Sequence, residues 1–97
     1  MTRLTPVNRF HRRIFGLNDR IEAIDSEARQ VAAELEYHRA INDDAQRDAA
    51  VGNYIDREEA GLTSGDVRRF ERALARLADK RRRLAAKRDH LLTRLPD

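Results

Sequence analysis

The amino-acid sequence predicts an all-α protein, a long antiparallel helical hairpin of the coiled-coil type. Apolar residues recur at alternating spacings of three and four, strong helix breakers are rare, and large apolar side chains are scarce among the 97 residues. Charged residues make up 38% of the chain, so disorder is the first alternative. The regular apolar spacing argues against disorder because it places those residues along one helical face. The length allows a single domain at most.

The first helix is expected to run from Pro6, after an N-cap at Thr5, to about residue 60. Gly16 and Gly52 are candidate breaks, and Asn53 with Asp56 three residues later has the spacing of a helix cap. A continuous helix through Gly52 is preferred, because a helical glycine costs only about 1 kcal/mol relative to alanine. The seam begins with seven residues, namely Ile14, Leu17, Ile21, Ile24, Ala28, Val31 and Leu35.

Residues 61–65 carry the clearest helix-ending signals in the chain and predict the turn. Gly61 suits the left-handed position that ends a helix, and Thr63 with Asp66 has the spacing of a capping box. A second helix is expected over residues 66–95, closed by Pro96. The largest apolar residues of its seam are Phe70, Leu74, Leu77, Leu84 and Leu91.

A turn centred on residue 62 pairs residues whose numbers add up to about 125. This register sets small residues of helix 1 opposite large residues of helix 2, which fills space without voids. Charge favours the same pairing, since residues 17–51 carry a net charge of −5 (nine acids, four arginines) and residues 66–97 a net charge of +6 (eleven bases, five acids). The predicted hairpin core is Val31, Leu35, Ile41, Ala45, Ile55, Phe70, Leu74, Leu77, Leu84 and Leu91.

In that register helix 1 is nearly twice as long as helix 2, so residues before about 28 have no partner within the chain. An exposed stripe of large apolar residues indicates an interface. The sequence therefore predicts a homo-oligomer, a dimer as first choice, that forms a helical bundle. The predicted interface is Ile14, Leu17, Ile21, Ile24 and Ala28. The alternative is that Gly16 breaks the helix and residues 6–15 fold back over the hairpin.

No residue pattern predicts catalysis, a metal or a cofactor. His11, His38 and His90 lie far apart in the sequence, and Glu34 with His38 provides only two ligands at helical spacing. No serine, threonine or lysine sits in a glycine-supported turn suited to nucleophilic catalysis. We therefore expect a non-enzymatic scaffold or adaptor that self-associates through its N-terminal overhang and binds a protein partner.

The alternative function is nucleic-acid binding by the basic half of the hairpin. The candidate contacts are Arg9, Arg12, Arg13, Arg82, Arg83 and Lys87, and such a cluster suits phosphate backbones. The competing explanation is that these residues only balance the nine acids of helix 1. No apolar run approaches the ~20 residues of a membrane span. The absence of cysteine leaves the redox environment of the protein open. Because the N-terminal residues do not form an apolar leader segment, we expect a cytoplasmic protein.

Overall fold

A computed structural model describes residues 6–95 of the chain, with side chains from residue 8 onward. It has two α-helices, α1 over Pro6–Val51 and α2 over Tyr54–Thr93, which pack against each other as an all-α hairpin. The predicted fold class is confirmed. The predicted cap at Thr5 and the stop at Pro96 lie outside the described residues. Neither helix is apolar enough over a sufficient length to cross a membrane.

The chain reverses direction at Gly52 and Asn53, where a reciprocal capping box starts α2. The Asn53 side-chain Oδ1 accepts hydrogen bonds from the backbone N–H groups of Ile55 (3.0 Å) and Asp56 (3.2 Å). In return, Asp56 Oδ2 accepts a hydrogen bond from the backbone N–H of Asn53 (3.2 Å). Three backbone N–H groups at the N-terminus of α2, which would otherwise lack an acceptor, are satisfied in this way.

Gly52 is required at this turn for steric reasons. A Cβ atom added there would overlap the carboxyl group of Asp56 and the backbone carbonyl oxygen of Asp48. Any other residue at position 52 therefore forces the capping carboxylate or the last turn of α1 to move. The break that the sequence offered as the less favoured choice is the one that forms.

The predicted turn at residues 61–65 is wrong, because this segment lies inside α2. No glycine in the described part of the chain has a positive φ, so Gly61 is not in the left-handed conformation of a helix end. The Thr63 and Ser64 hydroxyls donate to the Ala60 carbonyl oxygen at 3.1 and 2.8 Å. Hydroxyls commonly make this bond within a continuous helix.

Because the turn lies at residues 52 and 53, the pairing of residues across the two helices also differs from the prediction. Four contacts between the helices join residues whose numbers each add up to 106, and the predicted sum of about 125 is therefore wrong. These contacts are Asn18 with Arg88, Asp25 with Arg81, Asn42 with Ser64, and Gln46 with Ala60. The two helices have similar lengths of 46 and 40 residues, and α1 has no long overhang.

The described residues divide into two compact units. Unit 1 comprises residues 6–27 and 77–95, and unit 2 comprises Ala28–Arg76. The core of unit 1 consists of residues at most 9% exposed, contributed by both helices. They are Ile14, Leu17, Ile21 and Ile24 of α1 with Leu84 and Leu91 of α2, and Phe10, Leu77, Ala85 and Leu95 pack against them.

Unit 2 has a thinner core. Leu35, Ala60 and Val67 are buried, while Val31, Ala45, Phe70 and Leu74 are half-buried. Two predicted core residues are misplaced, since Ile41 is 37% exposed and Ile55 is 68% exposed. Both were assigned on a register that the chain does not adopt. The predicted core residues Leu77, Leu84 and Leu91 belong to unit 1, and Ala60 and Val67 are buried residues that the prediction missed.

Burial explains why this register wins. Four large apolar residues, Ile14 to Ile24, become covered by α2, and each contributes about 1.5–3 kcal/mol on burial. The sum is roughly 6–12 kcal/mol. Keeping Gly61 and Gly65 within a helix costs only about 2 kcal/mol relative to alanine. The apolar gain therefore exceeds the local preference of residues 61–65 for a turn.

A pair of glycine substitutions tests the position of the turn. An added Cβ at Gly61 meets no atom within 4 Å, so Gly61→Ala should raise the free energy of unfolding by about 0.5–1 kcal/mol, as expected for a helix interior. Gly52→Ala should lower it by about 1–3 kcal/mol through overlap. Urea unfolding followed by circular dichroism measures both. A turn at residues 61–65 would instead make Gly61→Ala the destabilising variant.

Candidate functional site

The turn exposes a group of apolar side chains, here named the turn patch and defined as Val51, Tyr54 and Ile55. These side chains are 90%, 69% and 68% exposed. Leu62, seven residues after Ile55 and therefore on the same face of α2, is 69% exposed. The fold does not bury these residues, although apolar side chains of this size usually gain from burial.

The local structure holds the turn patch in a defined geometry. Val51 is the last residue of α1 and Tyr54 the first of α2, so both backbones are helical. The Asn53–Asp56 capping box closes the two-residue link between them. Ile55 and Val51 are β-branched, and their side chains have few rotamers in a helix. The patch is therefore largely ordered before any partner arrives.

Within residues 48–59, which contain the turn patch, carboxylates outnumber cations by four to one, the cation being Arg57. Asp48 precedes the patch on α1, and Asp56, Glu58 and Glu59 follow it on α2. Asp48, Asp56 and Glu59 also line a cavity of about 190 Å³ with Ile41, Asp44 and Ala45. Unit 2 carries ten acids against eight arginines, a net charge of −2. The turn patch is thus an apolar surface with an acidic margin.

A polar layer joins the helices of unit 2 one to two helical turns from the patch. Gln46 Nε2 donates to the Ala60 carbonyl oxygen (3.1 Å) and to Ser64 Oγ (2.8 Å). The Thr63 and Ser64 hydroxyls also lie 2.9 and 3.0 Å from Asn42 Oδ1, so each shares its single proton between Asn42 and the Ala60 carbonyl oxygen. These bonds fix the register near the turn. Sequence reasoning assigned residues 63 and 64 to the turn and missed this role.

Unit 1 carries the second candidate surface, a groove between α1 and α2 of about 400 Å³, here named the basic groove. Its floor is apolar and its sides are basic. The lining residues are Arg13, Gly16, Leu17, Arg20, Lys87, His90 and Leu91. The described residues of unit 1 include eleven Lys and Arg against six Asp and Glu, a net charge of +5.

The six predicted nucleic-acid contacts, Arg9, Arg12, Arg13, Arg82, Arg83 and Lys87, are all exposed and all lie in unit 1. Arg82 and Arg83 each form an ion pair with Asp79 at 2.8 Å. Arg13 and Lys87 come together in the basic groove, whereas the other four do not line it. Arg20 and His90 line the groove and were missed. The correct register would have shown them, because pairing residues whose numbers add up to about 106 brings Arg20 near Lys87 and Arg13 near His90.

Two arginines of α2 stabilise the hairpin itself. Arg81 Nε donates to Asp25 Oδ1 at 2.7 Å, and Arg88 Nη1 donates to Asn18 Oδ1 at 3.2 Å. The hydrogen bond to Asp25 and the negative charge of Asp25 raise the pKa of Arg81 above its ordinary value. Both contacts lie across the helix pair and fix its register in unit 1.

The predicted oligomer interface needs a correction. Ile14, Leu17, Ile21 and Ile24 are 4–9% exposed, because Leu84 and Leu91 of the same chain cover them. Ala28 is half-buried in unit 2. The overhang that these residues were expected to form does not exist, since α2 extends to Thr93 opposite the start of α1. Ile14, Leu17, Ile21 and Ile24 are therefore not available to a second copy in the folded chain.

The histidines have separate surroundings. The His38 ring stacks on Phe70 with centroids 4.6 Å apart, and Tyr37 meets the His38 ring edge-on at 5.6 Å. His11 lies beside Phe15 at 6.3 Å. Across residues 8–95, no group of three or more His, Asp or Glu side chains is placed to hold a metal ion. His90 belongs to the basic groove.

Compared with protein-family models, curated proteins and solved structures, the chain has no significant match. The two surfaces of this hairpin therefore carry the functional inference.

Substitution at Ile21 separates burial within the chain from an oligomer interface. Ile21 is 4% exposed, so Ile21→Ala should lower the free energy of unfolding by about 2–5 kcal/mol, as for other large-to-small changes in a core. Phe15, 64% exposed on the same helix, supplies the matched control, and Phe15→Ala should change it by less than about 0.5 kcal/mol. Chemical denaturation measures both. An Ile21→Ala variant that keeps its stability but halves its mass in light scattering would contradict the assignment.

Proposed function

We propose that this chain is a non-enzymatic adaptor whose turn patch inserts into an apolar cleft of a protein partner. The observation that carries the proposal is the exposure of Val51, Tyr54 and Ile55, at 90%, 69% and 68%, on both sides of a two-residue turn. Single exposed apolar side chains are common, but three large ones within five residues are typical of a surface that binds a partner.

The fold does not need these three side chains. The turn is held by Gly52, Asn53 and Asp56 through backbone geometry and capping bonds. The register near the turn is held by the polar layer around Gln46. Polar residues at positions 51, 54 and 55 would therefore satisfy the fold equally well, which supports a role for these side chains outside it.

The patch has properties that suit tight docking. Tyrosine is enriched where proteins bind one another, because it offers a large contact area together with a hydroxyl group. The helical backbone on each side of the turn reduces the entropy that is lost when the patch becomes fixed in a complex. Leu62 on the same face of α2 extends the contact along the helix.

Charge specifies the partner further. Asp48, Asp56, Glu58 and Glu59 flank the patch along the chain and outnumber Arg57, so the complementary surface is an apolar cleft with lysine or arginine along its margin. Complementary charges accelerate association and orient the partners. An acidic margin on the partner would place like charges against each other and oppose binding.

Site-specific photo-crosslinking in the cells that express the protein tests the proposal. The crosslinking amino acid benzoylphenylalanine replaces Tyr54 in one variant and Tyr37 in the other. The two tyrosines are matched controls, being 69% and 67% exposed. We expect a discrete adduct from position 54 that is absent from position 37. Its crosslinked peptide should map to an apolar cleft bordered by basic residues.

The adduct should disappear when Val51→Ser and Ile55→Ser are added to the variant carrying the crosslinker at position 54. Circular dichroism should show unchanged helicity, because both side chains are exposed. Equal adducts from positions 54 and 37, an adduct that survives the serine substitutions, or no adduct from position 54 would each overturn the proposal.

A further inference from the structure

We infer that the basic groove of unit 1 binds the phosphate backbone of a nucleic acid. This goes beyond the adaptor proposal, because it uses other residues in the other unit and a different class of partner. The groove, with a volume of about 400 Å³, has an apolar floor of Gly16, Leu17 and Leu91. Its sides are Arg13, Arg20, Lys87 and His90, two residues from each helix.

The arginines and the lysine of the groove differ from several other basic residues of unit 1 because they have no acidic partner in the described part of the chain. No carboxylate lines the groove. Within residues 8–95, no ion pair or side-chain hydrogen bond engages Arg13, Arg20 or Lys87. By contrast, Arg81, Arg82 and Arg83 each pair with an aspartate. The basic residues that balance acids are therefore different from those that converge on the groove.

Gly16 keeps the groove open and has no structural reason to be glycine. It lies within α1 with no positive φ, and an added Cβ would meet no atom within 4 Å. A glycine in a helix interior costs about 1 kcal/mol relative to alanine. This cost brings nothing to the packing of unit 1, whereas a side chain at position 16 would project from the groove floor into the space between the cations.

The composition of the groove selects phosphate as the ligand. Guanidinium groups and an ammonium group form strong charge-assisted hydrogen bonds with phosphate oxygens. The lining offers no side-chain amide, hydroxyl or carboxylate that would read the edges of a base. Binding should therefore be driven mainly by release of counterions, and any base preference should be limited to guanine, which arginine and lysine can read. The net charge of +5 on unit 1 adds attraction at longer range.

Fluorescence anisotropy with a labelled mixed-sequence oligonucleotide, single- and double-stranded, at about 50 and 200 mM salt tests the inference. The groove variant combines Arg20→Gln with Lys87→Gln. The control variant combines Arg82→Gln with Arg83→Gln, which removes the same charge from unit 1 outside the groove. Gly16→Leu fills the groove without changing the charge.

We expect the groove variant to bind at least about 10-fold more weakly than the parent chain. The slope of its log affinity against log salt concentration should decrease by the equivalent of roughly two phosphate contacts. The control variant should stay within about threefold of the parent chain. Gly16→Leu should also weaken binding, while thermal unfolding shows that all three variants remain folded. Variants of the turn patch should bind the oligonucleotide as the parent does, so this test and the crosslinking test fail independently.

Several outcomes would overturn the inference. One is an equal loss in the groove and control variants, which would indicate diffuse charge attraction. A second is a Gly16→Leu variant that binds as the parent does. A third is a parent chain that binds inorganic pyrophosphate but no oligonucleotide at the lower salt concentration, which would assign the groove to a free phosphate compound. A fourth is a parent chain that binds vesicles of phosphatidylglycerol and phosphatidylcholine but no oligonucleotide, which would assign it to a lipid surface.

Discussion

The packing of Ile14, Leu17, Ile21 and Ile24 of α1 against Leu84 and Leu91 of α2 is the interaction on which the rest of the structure depends. These are the strongest apolar residues of the seam, and covering them fixes which residue of one helix faces which residue of the other. Once this register is set, the chain has to reverse at residues 52 and 53. Everything exposed at the turn and in the basic groove follows from that choice.

Smaller interactions agree with the same register and sharpen it. The capping box of Asn53 and Asp56 begins α2 at the position that the core demands. Gln46 bonds across to Ala60 and Ser64 near the turn, and Arg81 bonds to Asp25 in unit 1. Exposed ion pairs contribute little stability by themselves. Their value here is specificity, because a shifted register would leave them unpaired.

Periodicity was sufficient to predict the fold class and most of the apolar seam, since helical spacing is a local property of the sequence. The turn was not predictable in this way. Residues 61–65 carry two glycines and a Thr–Asp spacing typical of a helix boundary, yet they remain helical. The competing signal at Gly52, Asn53 and Asp56 is shorter. It wins because its register buries Ile14 to Ile24, and burial between segments distant in sequence is not visible in local patterns.

The same error explains how much of the candidate site was predictable. The basic character of Arg13 and Lys87 was evident from composition, whereas their convergence with Arg20 and His90 required the correct register. Ile55 was assigned to the core and is instead part of the exposed turn patch. A wrong register converts buried residues into supposed interfaces and exposed ones into supposed core. The predicted homo-oligomer rested on that conversion, and the residues chosen for it are covered by their own chain.

The distance between positions 25 and 81 tests this account most directly, because the chain has no native cysteine. Cysteines introduced by Asp25→Cys and Arg81→Cys can carry spin labels for pulsed electron paramagnetic resonance. Samples diluted with unlabelled chain ensure that only distances within one chain are read. The account predicts a short distance, since the native side chains at these positions are 2.7 Å apart. A turn at residues 61–65 would instead bring position 44 opposite position 81 and move position 25 about 28 Å further along the helix, a result that would contradict it.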